Sequence, residues 1–189
     1  MRKKGNLFIV SGPSGVGKST ILKRILRNNK NIIFSISCTT RQKRIDEIDG
    51  KDYFFISKEN FLNKIKNEEF IEWAKVHENY YGTLKKWIED NLKTGKDIIL
   101  DIDYQGAKNI KKSLTNGTFV FIIPPTLEIL KERIMERNTE NDESLKKRLE
   151  NAKRELKKKD FYDYIIKNDV LEEAAMEFKN IIELKRKNL

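Results

Sequence analysis

The chain has a single cysteine, Cys38, in its 189 residues. One thiol excludes an intrachain disulfide, and we expect a reducing, cytoplasmic setting. The neighbours of Cys38 are polar and no histidine lies near it in sequence. It is read as a small packing residue, not a nucleophile. Histidine is equally scarce: His77 stands alone and is read as a surface or packing residue. No apolar run approaches the roughly 20 residues of a membrane-spanning helix. The basic start Met1-Arg2-Lys3-Lys4 leads into a strand too short, and too soon interrupted by Gly12-Pro13, for a secretory signal. Internal repeats and long low-complexity linkers are also missing, which suits one domain over residues 1–189.

Acidic residues are outnumbered by basic ones, 29 to 39, giving a net charge of +10. A basic chain raises the question of nucleic acid. Here the lysines are scattered, and their richest run, Lys153 to Lys159, contains Glu155 on an expected helix. We read the charge as a solvated lysine surface plus an anion site built from arginine. The expectation is weak, salt-sensitive attraction to polyanions, with no specific nucleic acid and no membrane. No strip of sequence identifies an oligomeric interface. A hydrophobic fraction of 38% suffices for the core of an α/β domain, and a charged fraction of 36% must cover its surface.

What the chain does have is Gly12-Pro13-Ser14-Gly15-Val16-Gly17-Lys18-Ser19, which fits G-x-x-x-x-G-K-[ST] at every fixed position. The apolar run Leu7-Phe8-Ile9-Val10 precedes it, and Ile21, Leu22, Ile25 and Leu26 follow at helical spacing. Strand, glycine loop and helix form the context that distinguishes a phosphate loop from a chance glycine turn. Glycine lets several backbone N–H groups turn towards one anion, and the helix N-terminus adds its positive dipole end. Lys18 can reach β- and γ-phosphates and the Ser19 hydroxyl can ligate Mg²⁺. A nucleoside triphosphate is implied; the acceptor is not.

Along the chain, strands are expected at 5–11, 32–37, 53–57, 97–103, 118–123 and 164–166, with an extended stretch at 70–76. Helices are expected after the phosphate loop, at 58–67 with Ser57 as N-cap, and at 84–92 closed by Gly95. Others follow Pro124-Pro125 and Asn138–Asp142, and one ends the chain. Tyr80-Tyr81-Gly82-Thr83 is read as a turn. Strands alternating with helices after a phosphate loop imply an α/β fold with a three-layer core and a mostly parallel sheet. Residues 35–83 interrupt the alternation and are read as an acceptor-binding arm; residues 126–159, helical and arginine-bearing, are read as a lid. The core is then 5–34, 84–125 and 160–189.

The carboxylates at the end of the 97–103 strand face the phosphates in such a fold. Asp101 is the candidate metal ligand with Ser19; the competing role for it, and more so for Asp103, is capping the next helix. If the acceptor is a nucleoside monophosphate, its phosphate is already ionised near neutral pH. The chemical difficulty is then bringing two anions together, which calls for positioning and cations. Arg41 and Arg44 are available on the acceptor side, Tyr53 and Tyr81 can donate further hydrogen bonds, and Arg133, Arg137 and Arg148 can come from the lid. The alternative for the lid arginines is surface pairing with Glu132, Glu136 and Glu140. Guanine offers two adjacent donors, N1–H and the 2-amino group, which one carboxylate accepts together. Glu72 is the candidate, with Asp103 beside it and Ser37 and Thr83 as donors to O6 or N7. An exposed strand carboxylate is the plainer reading of Glu72.

Taken in order, several stretches resemble the guanylate kinase family over nearly the whole chain, from about Gly5 to about Ile182. They are Ser11–Thr20, Ser35–Arg41, Asp49–Tyr53, Phe70–Trp73, Asn79–Thr83, Ile99–Asp103 and Ile165–Asp169. The resemblance implies ATP- and Mg²⁺-dependent phosphorylation of GMP or dGMP. It places ATP on Gly12 to Thr20, Arg133, Arg137 and Asn168, with Mg²⁺ on Ser19 and Asp101. It places GMP on Ser37, Arg41, Arg44, Tyr53, Glu72, Tyr81, Thr83 and Asp103, and phosphoryl transfer on Lys18, Arg44, Arg137 and Arg148. Lys43 and Asp46 stand where the family usually has proline and glycine. A left-handed backbone at Asp46 would be less favourable than at glycine. Three other functions remain open at this point. They are a kinase for AMP or a pyrimidine monophosphate, a guanylate-kinase-like module that only binds proteins, and a nucleic-acid binder.

Overall fold

The computed structural model describes residues 3–27, 29–113, 116–135 and 142–187. In chain order the elements are β1 (Leu7–Ser11), α1 (Lys18–Arg27), β2 (Ile32–Phe34), β3 (Cys38–Thr39), β4 (Phe54–Phe55), α2 (Lys58–Lys66), β5 (Phe70–Val76) and β6 (Asn79–Leu84). Then come α3 (Lys85–Lys93), β7 (Asp97–Asp101), α4 (Tyr104–Ser113), β8 (Gly117–Ile123), α5 (Leu127–Met135), α6 (Asp142–Leu156), a 3₁₀ turn at Lys159–Phe161, β9 (Tyr164–Lys167) and α7 (Leu171–Lys187).

Five strands form a parallel sheet in the order β2-β7-β1-β8-β9. Every residue of β1 is buried, as a central parallel strand requires. Its side chains alternate between two apolar layers. Phe8 and Val10 join Ile21, Leu22 and Ile25 of α1 and Phe178 and Ile182 of α7. Leu7 and Ile9 join Ile88 and Leu92 of α3 and Ala107 and Ile110 of α4. The result is the expected helix–sheet–helix core. At the amino ends of the strands the carboxylate of Asp97, 1% exposed, accepts from the backbone N–H of Asn6 at 2.7 Å and from Arg186 Nε at 2.6 Å. This bond ties the end of α7 to the sheet.

A second sheet, β4-β3-β6-β5, carries the arm. Two expectations are corrected there. The stretch 32–37 is not one strand. It pairs with β7 only as far as Phe34, and Cys38–Thr39 then join the second sheet. The chain crosses from core to arm inside a single apolar run. Tyr80-Tyr81-Gly82-Thr83 is not a turn but part of β6, antiparallel to β5; the turn is His77-Glu78, with His77 at φ +53°. Gly82 is there for close approach. A Cβ on it would lie 2.9 Å from the Trp73 Cβ and 3.0 Å from the Glu72 carbonyl. Ser57 caps α2 as expected, accepting from Asn60 N–H at 3.1 Å. Cys38 is buried with Phe61 and Phe70, and burial raises its thiol to about 11, so it stays a neutral packing group.

Candidate active site

The loop between β1 and α1 lies at the carboxyl end of the sheet's central strand. Gly15 and Gly17 sit at φ +85° and +89°, which glycine alone adopts without strain. The loop is held from behind. The Val16 carbonyl accepts from Asn168 Nδ2 at 2.7 Å, and Arg133 Nη1 donates to the Asn168 carbonyl at 3.0 Å. Asn168 N–H in turn donates to the Ile123 carbonyl at 2.8 Å. Asn168 and Arg133 are thus brought against the phosphate loop, and they line a cavity of about 430 Å³ with Gly15, Gly17 and Thr20.

Lys18, the first residue of α1, places Nζ 2.8 Å from Asp101 Oδ1 at the end of β7. The lysine is parked on the carboxylate expected to serve the metal. Ser19 is exposed on the same helical turn. A carboxylate and a hydroxyl are the hard oxygen donors Mg²⁺ prefers. Among the described residues no group of three or more His, Cys, Asp or Glu could hold a metal by itself. Such a donor pair fits Mg²⁺ only when substrate oxygens complete the shell.

Two residues further on, Asp103 accepts from Gly106 N–H at 2.8 Å and caps α4. The capping role weighed against ligand binding is therefore real for Asp103, although its charge still faces Glu72. On β6 the buried Thr83 hydroxyl donates to Glu72 Oε1 at 2.8 Å and lies 3.1 Å from Ser37 Oγ. A hydroxyl has one proton. With Glu72 ionised, Ser37 donates to Thr83 and Thr83 to Glu72, so Ser37 must release Thr83 before donating to a ligand. Burial first, and Asp103 next to it, push the Glu72 carboxyl up to about 7 against the pull of the Thr83 hydroxyl. An exposed strand carboxylate would show none of this.

At the open side of the arm, Arg41 pairs with Glu47 at 2.5 Å and lies 5.5 Å from the centre of the Tyr53 ring. Tyr53 and Tyr81 meet edge to face at 6.0 Å. The second oxygen of Glu47 accepts Arg44 N–H at 2.8 Å. Glu47 therefore positions both arginine segments, a role its place in an acidic loop did not reveal. Asp49 and Asp52 likewise close the loop by accepting from Phe55 and Ile48 N–H groups. Asp46 is not in the left-handed region, so aspartate brings no strain where glycine was expected.

The stretch expected to act as a lid is described in part. Arg148 lies half-buried on α6. Arg137 and residues 138–141 of the expected break at 138–142 lie outside the described residues, and Asp142, expected in that break, is instead the first residue of α6. Glu155 was missed by sequence reasoning. It is half-buried on α6; burial raises its carboxyl, Lys18 lowers it, and Asp103 raises it. A lone acid in the run Lys153–Lys159 was the only available signal.

A parallel sheet with this loop after its central strand, and a lysine–aspartate pair joining the start of α1 to the end of β7, defines a P-loop nucleotide-binding protein. A solved shikimate kinase from Bacteroides thetaiotaomicron shares that fold, with a TM-score of 0.51 at 14% identity over 94% of this chain and 98% of its own. The more particular assignment comes from closer relatives. The family model described as guanylate kinase matches residues 4–185, and the chain belongs to the guanylate kinase family. A guanylate kinase of Thermotoga maritima is 48% identical over 97% of this chain and 88% of its own length. The crystal structure of guanylate kinase from Anaplasma phagocytophilum aligns with a TM-score of 0.74 at 35% identity, covering 97% of this chain and 87% of that one.

Proposed function

We propose that the chain transfers the γ-phosphoryl group of ATP to GMP or dGMP, yielding ADP and the guanosine diphosphate. The observation that carries this reading is the carboxyl end of β7. Asp101 there pairs with Lys18 of the phosphate loop, and the charge of Asp103, two residues on, helps to raise the carboxyl of Glu72 in the arm. A triphosphate on the loop and a guanine on Glu72 would meet across these two carboxylates. Membership of the guanylate kinase family supports the same pair of substrates.

ATP would lie with its phosphates on Gly12–Thr20 and its nucleoside towards the cavity beside Arg133 and Asn168. GMP would lie with its base on Glu72, Thr83 and Ser37 and its phosphate among Arg41, Arg44, Tyr53 and Tyr81. An oxygen of the GMP phosphate attacks the γ-phosphorus in line. The bond to the β,γ-bridging oxygen breaks, and ADP departs with that electron pair. The attacking oxygen is already ionised near neutral pH, so no strong base is required. Lys18 leaves Asp101 and follows the β- and γ-oxygens, while Arg41, Arg44 and Arg148, together with Arg137, offset the charge of two converging phosphates. Mg²⁺, held by Ser19, Asp101 and the triphosphate, would supply further neutralisation of that charge. Within the same proposal, residues 35–83 act as the GMP arm, 126–159 as the lid, and the reaction takes place in the cytoplasm. Among the described residues no helix is long and apolar enough to cross a membrane.

The test is ADP release measured with ATP, Mg²⁺ and GMP, dGMP, AMP, CMP or UMP in turn. Turnover with GMP far above AMP is expected. Turnover confined to another monophosphate would overturn the base assignment, and folded protein that binds GMP without turnover would overturn the reaction.

A further inference from the structure

At the amino end of β1, opposite the phosphate loop, a cavity of about 660 Å³ opens between α3 and β5. Its floor is aliphatic: Leu7, Ile71, Ile88 and Leu92, all buried members of one apolar layer. Its walls carry Lys4, Lys85 and Lys93, against one acid, Glu89. Lys4 and Lys85 have no ion-pair partner among the described residues, and Lys93 makes only an exposed contact of 3.7 Å with Asp90. The volume is in the range of small-molecule sites, which combine an apolar floor with a few placed polar groups. Aromatic rings are absent from the lining among the described residues, so a stacked base has no platform. An aliphatic tail suits the floor and an anionic head suits the lysines.

The cavity also touches the base of the arm. The pairing of β5 with β6 shifts register between Phe70 and Glu72, leaving Ile71 as the irregular residue. Ile71 turns into the cavity floor, while its neighbour Glu72 bonds to Thr83. Lys85 N–H donates to the Glu69 carbonyl at 2.9 Å, closing the same junction. Anything seated against Ile71 and Lys85 presses on the two strands that carry the proposed guanine contacts.

We propose that this cavity is a second ligand site, for a medium-chain aliphatic carboxylate, and that its occupancy alters GMP affinity. The tail lies on Leu7, Ile71, Ile88 and Leu92; the carboxylate lies between Lys85 and the ammonium groups of Lys4 and Lys93. The effect on GMP rests on the function proposed above, whereas binding itself does not.

Decanoate is the probe and 1-decanol its uncharged counterpart, both below their aggregation concentrations. Methyl resonances of labelled isoleucine report occupancy. Saturable shifts at Ile71 and Ile88 are expected with decanoate, weaker with decanol, and lost in the double variant Lys85→Glu/Lys93→Glu, whose fold is checked by an unchanged methyl spectrum before ligand is added. Absence of saturation, equal response to decanol, or undiminished response in the double variant would each overturn the site. Saturating decanoate is expected to change the GMP KM by about fivefold, at the lower end of usual couplings between sites. An unchanged KM alongside saturable binding overturns the coupling. A protein that never turns over GMP overturns the proposed function and leaves the methyl result standing.

Discussion

The two sheets of this molecule are built on different terms. In the core sheet the strands are apolar runs with helices on both faces, and β1 and most of β7 and β8 are closed to solvent. In the arm sheet β5 begins buried and becomes exposed along its length, and among the described residues the buried members of its own apolar core are Cys38, Phe61 and Phe70. Aromatic contacts make up part of the difference, with Phe61 stacked on Phe70 at 4.4 Å and close to Tyr80 at 5.4 Å. A thick core fixes the phosphate loop. A thin arm holds the proposed acceptor groups on a unit that has less to lose by moving. The difference teaches that damage to donor chemistry, acceptor recognition and global stability should be separable by residue.

The largest separation is expected at Lys18. Lys18→Ala should lower kcat by about 10³-fold while calorimetric GMP affinity stays unchanged, because the lost charge acts on the transferring phosphoryl group and not on the arm. Next comes the reverse case, a core lesion far from chemistry. Asp97→Ala removes the buried acceptor of the Asn6 N–H and the partner of the part-exposed Arg186 and should cost about 1–3 kcal/mol in urea unfolding, with the GMP KM of the folded fraction unaltered. Arm recognition should fall between activity and stability. Glu72→Gln is expected to reduce kcat/KM for GMP by about 10–100-fold, as an acceptor pair becomes a mismatched amide. Stability should not fall with it, since a half-buried carboxylate is replaced by a neutral group.

The pH dependence sharpens the same contrast. Burial lifts the folded Glu72 carboxyl from the ordinary 4.5 to about 7. Between these values the folded state holds a proton that the unfolded chain has released, so this group makes stability fall as pH rises through that window. GMP recognition runs the other way: the carboxylate must be ionised to accept two donors. The GMP KM should therefore decrease from pH 6 to pH 8. In Glu72→Gln the slope should shrink to the part due to the GMP phosphate, and an unchanged slope would remove Glu72 from base recognition. The smallest effect is expected at the exposed pair Arg24–Glu172, which bridges α1 and α7. Glu172→Ala should stay within about 0.5 kcal/mol and leave all kinetic constants in place.

Local spacing made one half of the site readable. The phosphate loop, its flanking strand and helix and the Ser57 cap are each encoded within a few residues, where glycine, lysine and apolar periodicity act directly on the backbone. Asp101 could be selected because a parallel strand puts its last residue at the carboxyl edge of the sheet. The arm was harder. The run 32–37 is uniformly strand-like, and nothing local marks Phe34 as the last residue to pair with β7. Gly82 reads as a turn residue until β5 is seen passing within contact of it, since the requirement comes from another strand. Glu47 and Asp97 are ordinary acids in sequence; their partners Arg41 and Arg186 are supplied by the fold, as is the half-burial of Glu155 that raises its carboxyl.

The sequence by itself determined that this chain binds a triphosphate on a P-loop core, because that capacity resides in eight consecutive residues and the periodicities beside them. Only folding made Glu72, Thr83 and Ser37 one hydrogen-bonded chain and brought Asp101, at the end of β7, to Lys18. The reason is range. Backbone preference and periodicity act between neighbours, whereas a raised carboxyl pKa and a hydroxyl relay exist only when residues from separate strands are brought together away from water.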